Sequence, residues 1–112
     1  MFVDYRFGYK FKKEEKVKDL ESWNDMLDEV FQETGDNMNC LILQMEDISS
    51  DKEITKEMDR KFDSSFGITE GTPFIAWSEN WIYFPFEYDG KESIAYVPRH
   101  PNTKFIPKHF GD

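Results

Sequence analysis

A single cysteine, Cys40, stands in the 112-residue chain, so no disulfide can close within it, and a domain without such bridges fits a reducing compartment. Basic residues are few: 14 Lys and Arg stand against 23 Asp and Glu, a formal net charge of -9. That balance repels phosphate backbones and anionic lipid. It argues against direct nucleic-acid or membrane-surface binding and makes a basic protein the easier partner. No apolar run approaches the roughly 18 residues of a membrane span. The opening MFVDYRFGYKFKK has neither the apolar stretch nor the small-residue cleavage site of a secretory signal, so a cytoplasmic protein is expected.

Chemical motifs are equally scarce. Zinc needs three or four closely spaced ligands, whereas one cysteine and two histidines are spread from Cys40 to His109, so neither a metal nor another cofactor is implied. There is no GxGxxG, Walker loop, GxSxG or HExxH. "GITEGTP", residues 67–73, lacks the lysine and the strand-before, helix-after setting of a phosphate loop. Cys40 and His100 are conceivable as nucleophile and base, but Cys40 lies in an apolar stretch where a thiol packs as a small hydrophobe.

What the chain has is rings. Aromatic residues make up 17% of it beside 33% charged residues, enough large side chains to offset the entropy of folding, and the length suits one domain. Val3, Tyr5, Phe7, Tyr9 and Phe11 alternate as in a strand with one buried side. Val17, Leu20, Trp23, Leu27, Val30 and Phe31 follow a helical period. They predict a helix over about 19–34, with Asp19 or Ser22 as its cap and Gly35 just past its end. "NCLILQM", residues 39–45, reads as a central strand covered on both faces. "SDKE", Ser50 to Glu53, is a capping box for a second helix through Ile54, Met58, Phe62 and Phe66.

From Phe74 the pattern is all strand, with turns at Ser78 to Asn80 and at Asp89-Gly90, before an irregular tail that follows Arg99. The order β-α-β-α-β-β-β predicts an α+β fold, its helices on one side of a mostly antiparallel sheet. A two-residue loop at Asp89-Gly90 sets Tyr88 opposite Lys91 and sorts the hairpin into two faces. Ile82, Phe84, Phe86, Tyr88, Ser93, Ala95 and Val97 share one, the expected interior. Trp81, Tyr83, Pro85, Glu87, Glu92, Ile94 and Tyr96 share the other, where Glu87 meets Glu92 and water is expected to separate the charges. Amphipathic rings suit contact surfaces, so Trp81, Tyr83 and Tyr96 are candidate partner-binding residues; the competing reading puts them in a second small core. Pro85, with no N–H to give, fits a strand only if the preceding strand ends opposite it, as a Glu79-Asn80 turn allows; a three-residue turn at Ser78 to Asn80 shifts that register by one.

Glu21, Asp25, Asp28, Glu29 and Asp36 line one side of the first helix, and no lysine or arginine lies between Asp19 and Asp36. Such a stripe gives up a little helix stability, and it is either an ordinary solvated face or a docking stripe for a basic surface. The basic cluster Lys10, Lys12, Lys13, Lys16 and Lys18 argues against nucleic-acid mimicry along the whole chain. In "VPRHP", Arg99 is flanked by prolines and prepared to grip a carboxylate or phosphate; Asp89, Arg99 and His100 are the candidate ligand-binding residues of an alternative pocket.

The pattern YFP, YDG, VPRHP and a final HFG over residues 74–111 resembles a motif of small uncharacterised bacterial and phage proteins. Those proteins favour an aromatic residue after YDG and end in HxGG, where this chain has Glu92-Ser93 and Phe110-Gly111-Asp112. The resemblance implies no known activity and points to a phage or mobile-element setting. Together these features lead to an expectation of a non-enzymatic binder, an inhibitor or immunity-type protein acting on a basic partner as monomer or homodimer. The alternative is a small-molecule binder or enzyme built on Asp89, Arg99 and His100.

Overall fold

The computed structural model describes residues 20–65 and 68–110. The strand expected at residues 2–11, the lysine cluster, Asp19, Phe66 and Asp112 lie outside the described residues.

Ser22 opens α1, Trp23–Thr34. Its hydroxyl accepts the Asp25 N–H at 3.1 Å, and the Asp25 carboxylate accepts the Ser22 N–H at 3.0 Å, so two otherwise orphaned donors are satisfied. Gly35 ends the helix at φ 81, a left-handed conformation that only glycine adopts without cost, and donates its N–H to Phe31 at 2.7 Å. Trp23, Met26, Leu27 and Phe31 form the buried face.

Among the described residues the apolar run after it is not the central strand that its composition suggests. Met38–Cys40 is a single 3-10 turn, and the strand β1 is confined to Ile42–Met45. The Asn37 side chain accepts the Asn39 N–H at 2.9 Å, which diverts the first half of the run into the turn. Among the described residues β1 pairs with one neighbour, at the sheet edge, and Ile42 is 65% exposed.

α2, Asp51–Asp59, is capped by Ser50, whose hydroxyl accepts the Glu53 N–H at 3.4 Å, and it buries Ile54 and Met58. Phe62 does not continue this helix, because the chain turns extended at Arg60. It reaches the core through a two-way bridge with Glu21, at 3.0 and 2.8 Å.

The remaining strands are β2 (Phe74–Trp77), β3 (Trp81–Tyr88) and β4 (Lys91–Pro98), and the sheet runs β1-β2-β3-β4 with every pair antiparallel. The α+β fold is therefore as expected. Asp89 and Gly90 have φ 53 and 83, the positive pair that a two-residue hairpin loop needs, and Tyr88 faces Lys91. The register Ala76 to Tyr83 and Trp77 to Ile82 makes Glu79-Asn80 the other turn. Extended by two residues, that register sets Phe74 opposite Pro85, whose nitrogen has no hydrogen to give; the pairing of β2 with β3 stops short of it.

Both helices cover one face of the sheet, α1 over β4 and α2 over β1, and touch each other. Between helices and sheet lie Trp23, Leu27, Phe31, Met58, Phe62, Phe74, Tyr83 and Ile94. The Trp23 ring meets Phe62 and Phe74 at 5.1 Å each, and its N–H donates to the Thr72 carbonyl at 2.9 Å.

Candidate interaction surface

The hairpin faces are sorted as its register demands, but the face turned to the helices is the opposite of the expected one. Tyr83 is 0% exposed, and Glu92 and Ile94 beside it are also buried. Phe84 and Phe86 are only half-buried, and Tyr88 is exposed. Tyr83 is thus removed as a surface residue.

The cause is a set of distant polar partners. The Tyr83 hydroxyl lies 2.7 Å from Thr34 Oγ1 and donates to Asp36 at 2.5 Å, while Phe31 meets its ring edge-on at 5.6 Å. Burial, and then the hydrogen bond to Asp36, push its phenol pKa well above the ordinary value. Glu92 is accommodated similarly. Its carboxylate accepts the N–H groups of Glu70 and Gly71, each at 2.8 Å, and its own N–H donates to the Ser64 carbonyl at 2.7 Å. Backbone donors, not water, satisfy this member of the Glu87/Glu92 pair, and Glu87 accepts from the Thr69 hydroxyl at 2.9 Å. On the outer face, Phe84 and Phe86 are met by Phe110, with centroids at 6.0 and 6.4 Å.

Trp81 and Tyr96 share the inner face but lie near the end of the hairpin away from Asp89, where both remain half-buried. Their rings meet edge-on at 5.4 Å, and Phe105 adds a third at 6.0 Å from Trp81. Glu33, Trp81, Tyr96, Lys104 and Phe105 border an open cavity of about 480 Å³. The Tyr96 hydroxyl donates to the Glu33 carboxylate, which raises the phenol pKa. The last turn of α1 therefore sits against the aromatic cluster.

The acidic stripe divides in two. Glu21 lies before the helix, where its carboxylate accepts the Ser64 hydroxyl at 2.8 Å. Asp25 belongs to the cap; Lys61, hydrogen-bonded at 2.5 Å, and the Ser22 N–H hold its carboxyl below the ordinary value. Asp36 serves Tyr83. Asp28 and Glu29 are exposed, as are Gln32 and Glu33 after them. Glu33 borders the Trp81–Tyr96 cavity, and Glu29 stands one turn before it on α1.

Asp89, Arg99 and His100 do not form a site. Asp89 is in the loop before β4 and Arg99 follows its last residue, which separates them by roughly 25 Å at the rise of a strand. Arg99 instead clips the β2–β3 turn, its guanidinium donating to the Ser78 carbonyl at 2.9 Å and its N–H to Asn80 at 2.8 Å. Cys40, expected in the core, is exposed on the turn after α1, with its sulfur 2.9 Å from the Asn37 carbonyl. Among the described residues no group of three His, Cys, Asp or Glu could hold a metal ion, and no helix is long and apolar enough to cross a membrane.

Glu33 and Phe105 were not among the expected site residues. Glu33 lies outside the stripe as read from the helical wheel, and Phe105 sits in a proline-containing segment without periodicity. Comparison with known proteins finds no matching family model, no matching curated protein and no matching solved structure.

Proposed function

We propose that this chain is a non-enzymatic binding protein that blocks a basic surface of another protein, in the manner of an inhibitor or immunity protein. The observation that carries this reading is the hydrogen bond from Tyr96 to Glu33, which joins the exposed acidic half of α1 to the half-buried Trp81–Tyr96–Phe105 cluster. Interfaces draw most of their affinity from a few rings seated in a desolvated pocket, and charged rims speed and orient the encounter. Here Trp81 and Phe105 supply the anchor; Asp28, Glu29 and Glu33 supply the rim. The net charge of -9 adds long-range attraction to a basic partner, such as a nucleic-acid-processing protein whose phosphate-binding surface is covered. The cytoplasm of a host carrying a phage or mobile element is the setting this reading assigns.

Affinity capture from a host lysate tests it, with wild type compared against an Asp28→Lys/Glu29→Lys double variant and against Trp81→Ala. A basic protein retained by wild type, weakened by salt and lost with either variant supports the reading. A retained protein that is indifferent to both variants overturns it.

A further inference from the structure

A second cavity, of about 410 Å³, lies between the β3–β4 hairpin and the chain's last described residues; it shares Tyr96 and Lys108 with the cavity beside Glu33, but Glu33 itself does not line it. Its walls are the rings of Phe86, Tyr88 and Phe110, and Ser93 contributes to its lining. Lys91, Lys108 and His109 also border it, and among the described residues no carboxylate does. Neither lysine has an ion pair or side-chain hydrogen bond to another described residue, and the Lys108 ammonium stands 5.4 Å above the Phe110 ring. From Ser93 to Gly111 the sequence holds no Asp or Glu. In a chain of net charge -9, the described side chains that line this cleft include two lysines and no acidic residue.

We infer that the cleft binds a small planar aromatic monoanion, in chemical class an aryl carboxylate. The ring walls favour an aromatic body, because offset and edge-on ring contacts add to the gain from burial. The volume falls in the lower part of the roughly 300–1,000 Å³ range of ligand sites, which suits one or two fused rings. Lys91 and Lys108 supply ammonium donors for a carboxylate, and the Ser93 hydroxyl supplies a further donor. The charge of the ligand is limited from the other side. The field of a chain at -9 opposes each added negative charge, so a monoanion is favoured over a phosphate dianion.

The probe pair is 1-naphthoate and its neutral analogue 1-naphthalenemethanol, titrated calorimetrically into the full chain, with backbone amide shifts followed by NMR. The expected result is that the carboxylate binds about tenfold more tightly than the alcohol, a charge-assisted contribution. Lys91→Gln/Lys108→Gln should erase that ratio while leaving alcohol binding unchanged. Both lysines are exposed, so this variant should unfold at the wild-type urea midpoint. Ser93→Leu, which fills the cleft, should abolish binding of both probes. Equal affinity for the two probes, a ratio that survives the lysine changes, amide shifts centred on Trp81 instead of Phe86 and Ser93, or no binding by wild type at millimolar probe would each overturn the inference.

Discussion

The Tyr83 hydroxyl donates to the Asp36 carboxylate at 2.5 Å, across 47 positions of sequence. A ring from the middle of the sheet thereby fixes the loop that leaves α1, and Thr34, the last residue of the helix, supplies the second oxygen at the hydroxyl. Polar tips of buried rings persist in a core only where partners meet them, and here one short segment of chain provides both.

Tyr83→Phe keeps the ring and removes the hydroxyl, leaving Asp36 without its donor. The expected cost is about 1.5–3 kcal/mol, as for a hydrogen bond to a charged group, read from urea unfolding. A pH signature accompanies it. The folded chain holds the phenol proton more tightly than the unfolded one, so this contribution is complete below about pH 10 and is lost as pH rises beyond it. The wild-type midpoint should therefore fall above pH 10, and Tyr83→Phe should fall less steeply. Tyr96, raised by Glu33, leaves a residual slope in both proteins. Parallel curves for the two would rule out this role for Tyr83.

Glu92 gives a second prediction, because its two oxygens accept two different N–H groups, from Glu70 and Gly71. A glutamine has one acceptor oxygen and sets its NH₂ against the other donor, so Glu92→Gln should cost about 1–3 kcal/mol although it removes a buried negative charge. The loop it holds cannot shift to compensate. A Cβ on Gly71 would stand 2.4 Å from the Trp23 ring and 2.8 Å from both Glu92 Oε1 and Phe62, so Gly71→Ala should destabilise by about 1–3 kcal/mol or more. Both are read from thermal and urea midpoints; a Glu92→Gln protein as stable as wild type would show that the carboxylate is not what closes the loop.

These residues mark the limit of what local pattern conveys. Asp89-Gly90, Ser22, Gly35 and Ser50 act through neighbours within a few positions, and each turn or cap was legible from the residues alone. The orientation of the hairpin was not, since both faces carry rings and the deciding partners, Thr34 and Asp36 for Tyr83 and the Glu70 and Gly71 N–H groups for Glu92, lie far away in sequence. Chemical suitability misled there: Tyr and Glu read as wet, Phe84 and Phe86 as dry. An apolar run likewise gives no sign of whether a strand has one neighbour or two, so the place of β1 at the edge of the sheet, among the described residues, was hidden. Asp89 and Arg99 are close in sequence, yet a single extended strand holds them apart.

The hairpin loop supplies a third prediction. Gly90 sits at φ 83, where a side chain is strained, so Gly90→Ala should cost upward of about 1 kcal/mol in urea unfolding. Asp89, at φ 53, is already a non-glycine residue of a type that tolerates this region, and Asp89→Asn should leave stability within about 0.5 kcal/mol. If both substitutions are silent, the turn does not control the register.

Glu29 separates function from stability. It is exposed on α1, with Asp25 one turn before it and Glu33 one turn after, so it belongs to two like-charge pairs at i, i+4 spacing. Glu29→Lys turns both into attractive pairs, and at roughly 0.2–0.5 kcal/mol per helix pair the variant should be slightly more stable than wild type. The same change places a positive charge on the rim of the proposed binding surface, where a basic partner would be repelled. The expected outcome is a urea midpoint at or above wild type together with weakened capture of the basic partner, the loss largest at low salt, where electrostatic steering is strongest. Opposite signs in the two measurements exclude unfolding as the cause of lost binding. Undiminished capture by Glu29→Lys would mean that the acidic half of α1 faces only water.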